Sequence, residues 1–196
     1  GGLYRDNLFL GANFNYHRME TLKIESINEF DYTLDSNLIE SYFENELFSY
    51  GDGFSFQFGA IFKVKNARLG LTYDSPQWLT INEEIEQYIE TIHYVSDISQ
   101  KDIISPDFVN IYEPYTLKLP AKLTTSFAYV FGKSGLVSID YSTQNFENIH
   151  YSDQGNSSYL FTLNEDIDSS FKNIQQLRIG AEYRIKKVSL RAGYFS

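Results

Sequence analysis

The chain has 196 residues, a net charge of −10 and 17% aromatic residues, with 16 Tyr, 16 Phe and no Cys. The acidic balance argues against a nucleic-acid partner, because a phosphate backbone attracts basic surfaces. Without cysteine, a disulfide framework and thiolate metal sites are excluded. No run of about 18 apolar residues is present, which excludes a membrane-spanning helix within this sequence.

A strand and a short helix are predicted in the first 50 residues. In residues 7–17, "NLFLGANFNYH", apolar side chains occupy every second position from Leu8 to Tyr16, which is the period of a strand. In residues 35–47, "DSNLIESYFENEL", apolar residues recur at helical spacing, and Asn37 and Glu40 are three residues apart, as in a capping box. The second segment therefore predicts a helix.

Residues 53–74, "GFSFQFGAIFKVKNARLGLTYD", predict a β-hairpin. Apolar residues occupy the even positions from 54 to 64 and the odd positions from 69 to 73. A two-residue loop at Asn66 and Ala67 would pair Val64 with Leu69 and place the apolar side chains of both strands on one face.

Residues 80–95, "TINEEIEQYIETIHYV", predict a second helix. Ile81, Ile85 and Ile89 recur every four positions, and Thr80 and Glu83 have the spacing of a capping box. We expect this helix to lie in a connection between strands.

Residues 121–142, "AKLTTSFAYVFGKSGLVSIDYS", predict a second hairpin. The apolar positions of its two strands match only across an odd loop, and Lys133, Ser134 and Gly135 supply three residues. Gly135 stands where a three-residue hairpin loop needs a left-handed backbone.

The last predicted elements are a helical turn and a third hairpin. Residues 164–173, "NEDIDSSFKN", predict the helical turn; they lack the Gly and the terminal Glu of a calcium-binding loop. In residues 177–194, "LRIGAEYRIKKVSLRAGY", a turn at Lys186 and Lys187 aligns the apolar positions. The same register sets Glu182 directly opposite Arg191 on the other face.

The seven predicted strands have tight turns at one end and long connections at the other. The connections, residues 24–53, 75–120 and 143–173, hold 21 of the 26 acidic residues, whereas basic residues cluster around the turns. Bacterial outer-membrane barrels have short periplasmic turns and long extracellular loops, and strands of about 9–11 residues cross a bilayer. We expect the basic end to face anionic phospholipid and the acidic end to bind the divalent cations that bridge lipopolysaccharide.

Aromatic residues on the apolar face predict two interfacial girdles. One comprises Tyr73, Tyr141 and Tyr194 near the long connections, and the other Phe62, Phe131 and Tyr183 near the turns. The alternative is that these rings form the core of a soluble β-sandwich. Together with the asymmetry of the loops and the distribution of charge, the girdles favour contact of the apolar face with lipid over a soluble core.

The predicted fold class is all-β: an antiparallel meander forming a transmembrane β-barrel, with short turns at one end and long, partly helical loops at the other.

Residues typical of a catalytic or metal site are few. His17, His93 and His150 are far apart in the sequence, and no nucleophile motif accompanies them. We expect no enzyme activity, no cofactor and no metal site. Some charged residues occupy the strand positions that alternate with the apolar ones. They either line a permeation path or form cross-strand ion pairs inside the barrel, and ion pairing is the simpler interpretation. These residues are Lys122, Asp140, Arg178, Glu182, Arg184 and Arg191.

"PAKLTTSFAYVFGKSGLVSIDY" followed by "LRIGAEYRIKKVSLRAGY" resembles the carboxy-terminal half of the FadL-type outer-membrane transporters, which move long-chain fatty acids and other hydrophobic compounds. The likeness is closest to members from Bacteroidetes-like bacteria and strongest over residues 120–194. It implies a fourteen-stranded barrel, an amino-terminal plug, apolar ligand capture near the extracellular loops and exit through the wall.

The plug and the first strands of that family have no counterpart here, and seven strands do not close a barrel of even strand number. We therefore expect residues 1–196 to be one incomplete barrel domain of a longer chain, and we nominate no ligand-binding residue.

The leading functional expectation is an integral outer-membrane barrel for passive uptake of long-chain fatty acids or other hydrophobic compounds. Its expected partners are such a small molecule, outer-membrane lipid and lipopolysaccharide, with no nucleic acid. It predicts an apolar pocket on the lumen side near the loop helices. One alternative is a scaffold or binding barrel whose acidic loops serve an extracellular partner. Another is a soluble β-sandwich adhesin or carbohydrate-binding module.

Overall fold

The computed structural model describes residues 2–4, 7–30, 38–95, 98–104, 109–155 and 157–196. Within them the protein is all-β, with antiparallel strands and one α-helix. The strands are β1 Gly2–Tyr4, β2 Leu8–Phe30, β3 Leu38–Val64, β4 Ala67–Asp74, β5 Gln77–Val95, β6 Ile98–Ile104, β7 Asn110–Ile111, β8 Tyr115–Leu119, β9 Lys122–Phe131, β10 Gly135–Asn145, β11 His150–Ser152, β12 Asn173–Ile185 and β13 Val188–Phe195. A 3₁₀ helix spans Phe146–Asn148, and the helix α1 spans Ser158–Ser170.

The predicted meander is confirmed, although the predicted number of strands is wrong. Hydrogen-bonded neighbours follow the order β2, β3, β4, β9, β10, β12, β13, which contains all seven predicted strands. Across the described ranges there are thirteen strands, because much of what we assigned to connections is also β-structure. Among these strands β13 pairs only with β12, and the sheet is not closed into a barrel.

The chain divides into two compact units. Unit 1 comprises Gly1–His17, Gly53–Leu79 and Thr116–Ser196, and unit 2 comprises Arg18–Asp52 and Thr80–Tyr115. Unit 1 contains all three tight turns and α1. In unit 2, β5 pairs with β6 from Ile89 opposite Ile104 to Val95 opposite Ile98, and β7 pairs with Glu84 and Ile85 of β5.

Three strands are longer than a bilayer requires: β2 has 23 residues, β3 has 27 and β5 has 19. We predicted only residues 8–16 of β2 and 54–64 of β3 as strand, and a helix in place of β5. The error arose because the apolar alternation stops before the strand does. Polar residues continue the strand wherever backbone pairing and cross-strand side chains support it.

The first two hairpins have registers two residues from the predicted ones. Val64 pairs with Ala67, so the first turn is Lys65–Asn66, with a φ of 50° at Lys65. Phe131 pairs with Gly135, so the second turn is Gly132–Ser134, and Gly132, not Gly135, has the left-handed φ of 56°. A shift of two residues keeps every side chain on its face, so the predicted apolar faces remain correct.

The third hairpin is confirmed residue by residue. Ile185 pairs with Val188 across Lys186–Lys187, and Lys186 has a φ of 56°. A positive φ at the first turn residue is a feature of the two-residue turns that suit the twist of paired strands. Glu182 lies opposite Arg191, as predicted.

Two of the three predicted helices are strands. Residues 80–95 belong to β5, and the described part of residues 35–47, from Leu38, belongs to β3; Asn37 lies outside the described residues. Residues four apart share a face in a strand as well as in a helix, so the spacing of Ile81, Ile85 and Ile89 fits both. The high content of Ile, Tyr and Thr favours the strand.

The third helical prediction is confirmed, with α1 beginning six residues before the predicted segment. Ser157 is the N-cap, and its hydroxyl oxygen accepts a hydrogen bond from the backbone N–H of Leu160 at 3.3 Å. The helix is fixed to β11 by Asn164, whose amide bonds both backbone groups of Tyr151 at 2.8 Å. Ile167 is its buried residue.

Candidate functional site

In β3, β4, β9 and β10 of unit 1, the two faces of the sheet have inverted burial. Along β9 the large residues Leu123, Phe127, Tyr129 and Phe131 are exposed, together with Thr125 on the same face, and the residues that alternate with them are half-buried. In β3, Ser55 is only 6% exposed while Phe58 is 54% exposed. A water-soluble sheet normally buries its apolar face and exposes its polar one. Here the polar face is the enclosed one.

The apolar face lacks a covering layer throughout the described residues. Only three large apolar side chains there are buried, namely Leu79, Ile81 and Ile167. All six residues of the predicted girdles are exposed, from 39% for Tyr73 to 61% for Tyr194. An exposed apolar surface of this extent is expected to contact something other than water.

Trp78, the single tryptophan, lies at one end of this apolar face. Its ring packs against Phe54 and Phe56, with centroid distances of 5.2 and 6.0 Å. Phe54 in turn stacks on Phe14 at 6.1 Å. These rings form an aromatic group in unit 1 where β3 meets the start of β5.

The polar face carries hydrogen bonds from strand to strand. His17 Nε2 and Ser55 Oγ are 2.8 Å apart, and Asn13 donates to Gln57 at 2.9 Å. Gln57 also donates to Asp74 on β4. Ser75 forms two hydrogen bonds with the backbone of Phe56 in the same region. Its backbone N–H donates to the Phe56 carbonyl, and its hydroxyl oxygen accepts from the Phe56 N–H, each at 2.9 Å.

The charged residues predicted for the polar face have different partners. Glu182 accepts from Arg191 at 2.9 Å and from Arg184 at 2.6 Å, so the predicted ion pair is confirmed and extended. Asp140 lies opposite Arg178 in the β10–β12 register, but Arg178 donates to Gln176. Lys122 lies opposite Asp74 in the β4–β9 register.

Two grooves lie on the apolar face of unit 1. The Ala12/Ala60 groove has a volume of about 590 Å³ and lies between β2, β3 and β4, with Leu10, Phe58, Leu71 and Tyr73 as its walls. The Ala181/Ala192 groove has a volume of about 500 Å³ and lies between β9, β10, β12 and β13. Both volumes fall within the usual range for small-molecule sites.

A third groove, of about 490 Å³, is lined mainly by small and polar residues of the opposite face, including Gly59, Gly70, Ser126, Ser138 and Asp140. The apolar lumen-side pocket near loop helices stays a prediction. The segments that would have formed two of those helices are strands. Beside α1, a cavity of about 540 Å³ is lined mainly by residues of β11 and α1, among them Tyr151, Leu160 and Asn164.

Unit 2 has a strong excess of acidic residues. Its two segments contain 17 Asp and Glu against three Lys and Arg, which leaves nine acidic and 13 basic residues in unit 1. Some of these carboxylates bind tyrosine hydroxyls: Tyr88 donates to Glu90 at 2.6 Å and Tyr50 donates to Glu84 at 3.1 Å. The acidic excess is therefore partly organised by Tyr–Glu hydrogen bonds.

Lys101 joins β6 to this group. Its ammonium lies 2.7 Å from Glu90. The pKa of the Glu90 carboxyl is lowered below its usual range, mainly by the hydrogen bond from Lys101 and secondly by the one from Tyr88. The bond to Glu90 raises the pKa of Tyr88, because the carboxylate stabilises the protonated phenol. Glu83, predicted as a capping residue, instead accepts from Tyr115 at 2.9 Å.

The three histidines of the sequence lie in three different strands, β2, β5 and β11. His17 contacts Ser55, His93 lies 3.5 Å from Asp102, and His150 is in β11. Within the described ranges, no three His, Asp or Glu side chains come together as a metal site, and no helix is long and apolar enough to span a membrane.

Sequence reasoning missed the acidic sheet of unit 2 and both apolar grooves. The alanines on the apolar face were visible in the sequence, but their positions opposite each other depend on register.

Comparison of the chain with protein-family models, curated proteins and solved structures gives no match.

Proposed function

We propose that this protein forms part of the wall of a β-barrel in a bacterial outer membrane, through which fatty acids or other hydrophobic compounds cross. The observation that carries the proposal is the inverted burial of unit 1, with apolar side chains exposed and polar ones enclosed. In lipid this arrangement is favourable, since the apolar face meets hydrocarbon and the polar face lines the interior.

The backbone supports the same proposal. In hydrocarbon every backbone N–H and C=O needs an internal partner, and antiparallel pairing supplies these partners from β2 to β13 along the meander. The free edge of β13 would require a further strand, which is consistent with a wall completed by the rest of a longer chain. A fourteen-stranded barrel would provide it.

A hydrophobic substrate is favoured by the apolar grooves. The Ala12/Ala60 groove is lined almost wholly by hydrocarbon, and its volume suits an alkyl chain or a compact apolar molecule. The interior face, in contrast, is crossed by hydrogen bonds such as those of Gln57 with Asn13 and Asp74. We therefore expect apolar cargo to travel along or through the wall rather than through a wide aqueous pore.

A second function, a binding or scaffold barrel, is favoured by one specific observation. Unit 2 is a compact unit with a large acidic excess, and such a surface suits a basic partner outside the cell. In that function the interior would be closed, and no apolar ligand would copurify.

Membrane insertion can be tested with Trp78. We expect its fluorescence in reconstituted vesicles to be quenched most by lipids brominated near the headgroup, since tryptophans at the edge of an apolar band lie at the interface. The control is Trp78→Phe combined with Tyr94→Trp, which places the only tryptophan in unit 2 and should escape quenching. Quenching of neither protein, with full solubility in the absence of detergent, would favour the soluble β-sandwich.

The cargo is tested by mass spectrometry of organic extracts of the full-length protein purified in detergent from its native membrane. A stoichiometric apolar molecule that is absent from a control barrel purified in parallel supports transport. An extract without such a molecule supports the scaffold function.

A further inference from the structure

The Ala181/Ala192 groove combines an apolar floor with a cationic end. Ala181 and Ala192 are directly paired in the β12–β13 register, and the next pair of this face towards the turn is Tyr183 with Leu190. Phe131 and Val137 complete the walls. Ala181 and Ala192 have only methyl side chains, whereas their neighbours on this face have large ones, and this difference in size forms the groove.

Two turns border this groove at its basic end. Phe131 and Gly135 line the groove and flank the Gly132–Ser134 turn, while Lys186–Lys187 connects the two strands of its floor. The turns are joined directly, because the backbone N–H of Arg184 donates to the carbonyl of Ser134 at 2.7 Å. The turn that carries Lys133 is therefore next to the groove. The Lys186–Lys187 turn is two residue pairs beyond the Tyr183–Leu190 pair that ends the groove on this side.

These three lysines are exposed, and none forms an ion pair with an acidic residue of the described ranges. Glu182 is among the residues that line the groove, and its carboxylate is already bound to Arg184 and Arg191. The positive charge at the end of the groove is therefore available to a ligand.

We propose that the Ala181/Ala192 groove binds an anionic phospholipid, with an acyl chain along the two alanines and the phosphate at Lys133, Lys186 and Lys187. This inference rests on the proposed membrane location. The groove is lined mainly by apolar residues, Tyr183 at its turn end belongs to a predicted interfacial girdle, and ammonium groups attract anionic headgroups. The occupant is thus defined by charge complementarity at one end and apolar shape along the rest.

The Ala12/Ala60 groove provides an internal comparison. It has the same apolar character, but it begins farther from its turn. Its first lining pair is Ala60 with Leu71, and four residue pairs separate this pair from the Lys65–Asn66 turn. From there the groove continues away from the turn to the pair of Phe58 with Tyr73. It therefore reaches no cationic turn. We expect it to hold acyl chains without regard to headgroup charge.

The test is native mass spectrometry of the full-length protein titrated with phosphatidylglycerol or phosphatidylcholine of identical acyl chains. Wild type should prefer phosphatidylglycerol at least tenfold. Each Lys→Gln change at positions 133, 186 and 187 should lower phosphatidylglycerol affinity roughly fivefold at low salt. Ala192→Leu, which fills the groove, should remove most of the preference for phosphatidylglycerol, while the matched change Ala60→Leu and the unit 2 change Lys101→Gln should leave the preference intact.

Equal affinity for the two lipids, or equal effects of Ala192→Leu and Ala60→Leu on the preference, would overturn the inference. Membrane insertion is measured separately, by the heat-dependent mobility of each variant folded into phosphatidylcholine vesicles. Failure of wild type to insert would contradict the proposed function itself. Normal insertion without a headgroup preference would contradict only the lipid site.

Discussion

Glu182 on β12 lies directly opposite Arg191 on β13 and binds two guanidinium groups, Nε of Arg191 at 2.9 Å and Nε of Arg184 at 2.6 Å. Its side chain is only 12% exposed, whereas the two arginines reach outwards. One carboxylate thus neutralises two cations on the polar face of the last hairpin.

Replacement of Glu182 by Gln should destabilise this hairpin. The change removes two charge-assisted hydrogen bonds and leaves the arginines uncompensated, so we expect a lower free energy of unfolding. Urea titration in detergent, followed by Trp78 fluorescence, measures it. Glu165→Gln on the exposed side of α1 is the matched control and should have little effect; a similar loss in both variants would argue against a special role for Glu182.

The assignment of faces predicts unequal effects of arginine at neighbouring positions. Phe58→Arg places a charge on the lipid face and should cost roughly 2–4 kcal/mol near the bilayer midplane. Gln57→Arg places it on the enclosed polar face beside Asp74 and should cost much less. Unfolding in lipid vesicles provides the measurement, and equal costs would show that the faces are wrongly assigned.

The two glycines of the second hairpin predict different sensitivities. A Cβ at Gly135 would collide with the backbone carbonyl of Glu182, so Gly135→Ala should cost about 3 kcal/mol, at the upper end for overpacking. Gly132 has open space around it and a left-handed φ, which Asn adopts readily. Gly132→Asn should therefore remain close to wild type. Urea midpoints of the two variants compare them directly, and the reverse order of stability would exclude this explanation.

The pair of Glu90 and Lys101 predicts a pH dependence of the β5–β6 pairing. Since the pKa of Glu90 is lowered in the folded protein, the stabilisation is present above the ordinary pKa of a glutamate. It is lost as the pH falls through the lowered value. Carboxyl-carbon NMR titration, with Glu90→Gln to assign the resonance, measures this pKa. In Lys101→Met the Glu90 pKa should rise towards its usual range; an unchanged value would mean that Lys101 is not the cause.

Much of the unit 1 sheet could be predicted from the sequence because one periodicity governs it. Where large apolar residues alternate with small polar ones, as from Phe54 to Val64, both the strand and its face follow directly. The pairing register of the first hairpin was harder to predict. Lys65–Asn66 and Asn66–Ala67 turns keep the same faces, and only the backbone geometry at Lys65 distinguishes them.

Unit 2 and the grooves could not be predicted in the same way. In β5, isoleucines at intervals of four residues fit a helix and a strand equally well, and no local feature decides between them. The decision comes from partners distant in sequence, such as Asn45 with Gln87 and Ser49 with Glu83. Gly135 was noted for its conformation, yet it is needed because the neighbouring strand approaches closely.

The alternation of an exposed apolar face with an enclosed polar face makes the length of each strand as important as its composition. A substitution alters one position, but insertion of a single residue between Ser55 and Gln57 would exchange the two faces for the rest of the strand. Every following phenylalanine would turn inwards and every following lysine outwards. Insertions and deletions should therefore be tolerated at the Lys65–Asn66, Gly132–Ser134 and Lys186–Lys187 turns, where epitope tags and fluorescent labels are best placed.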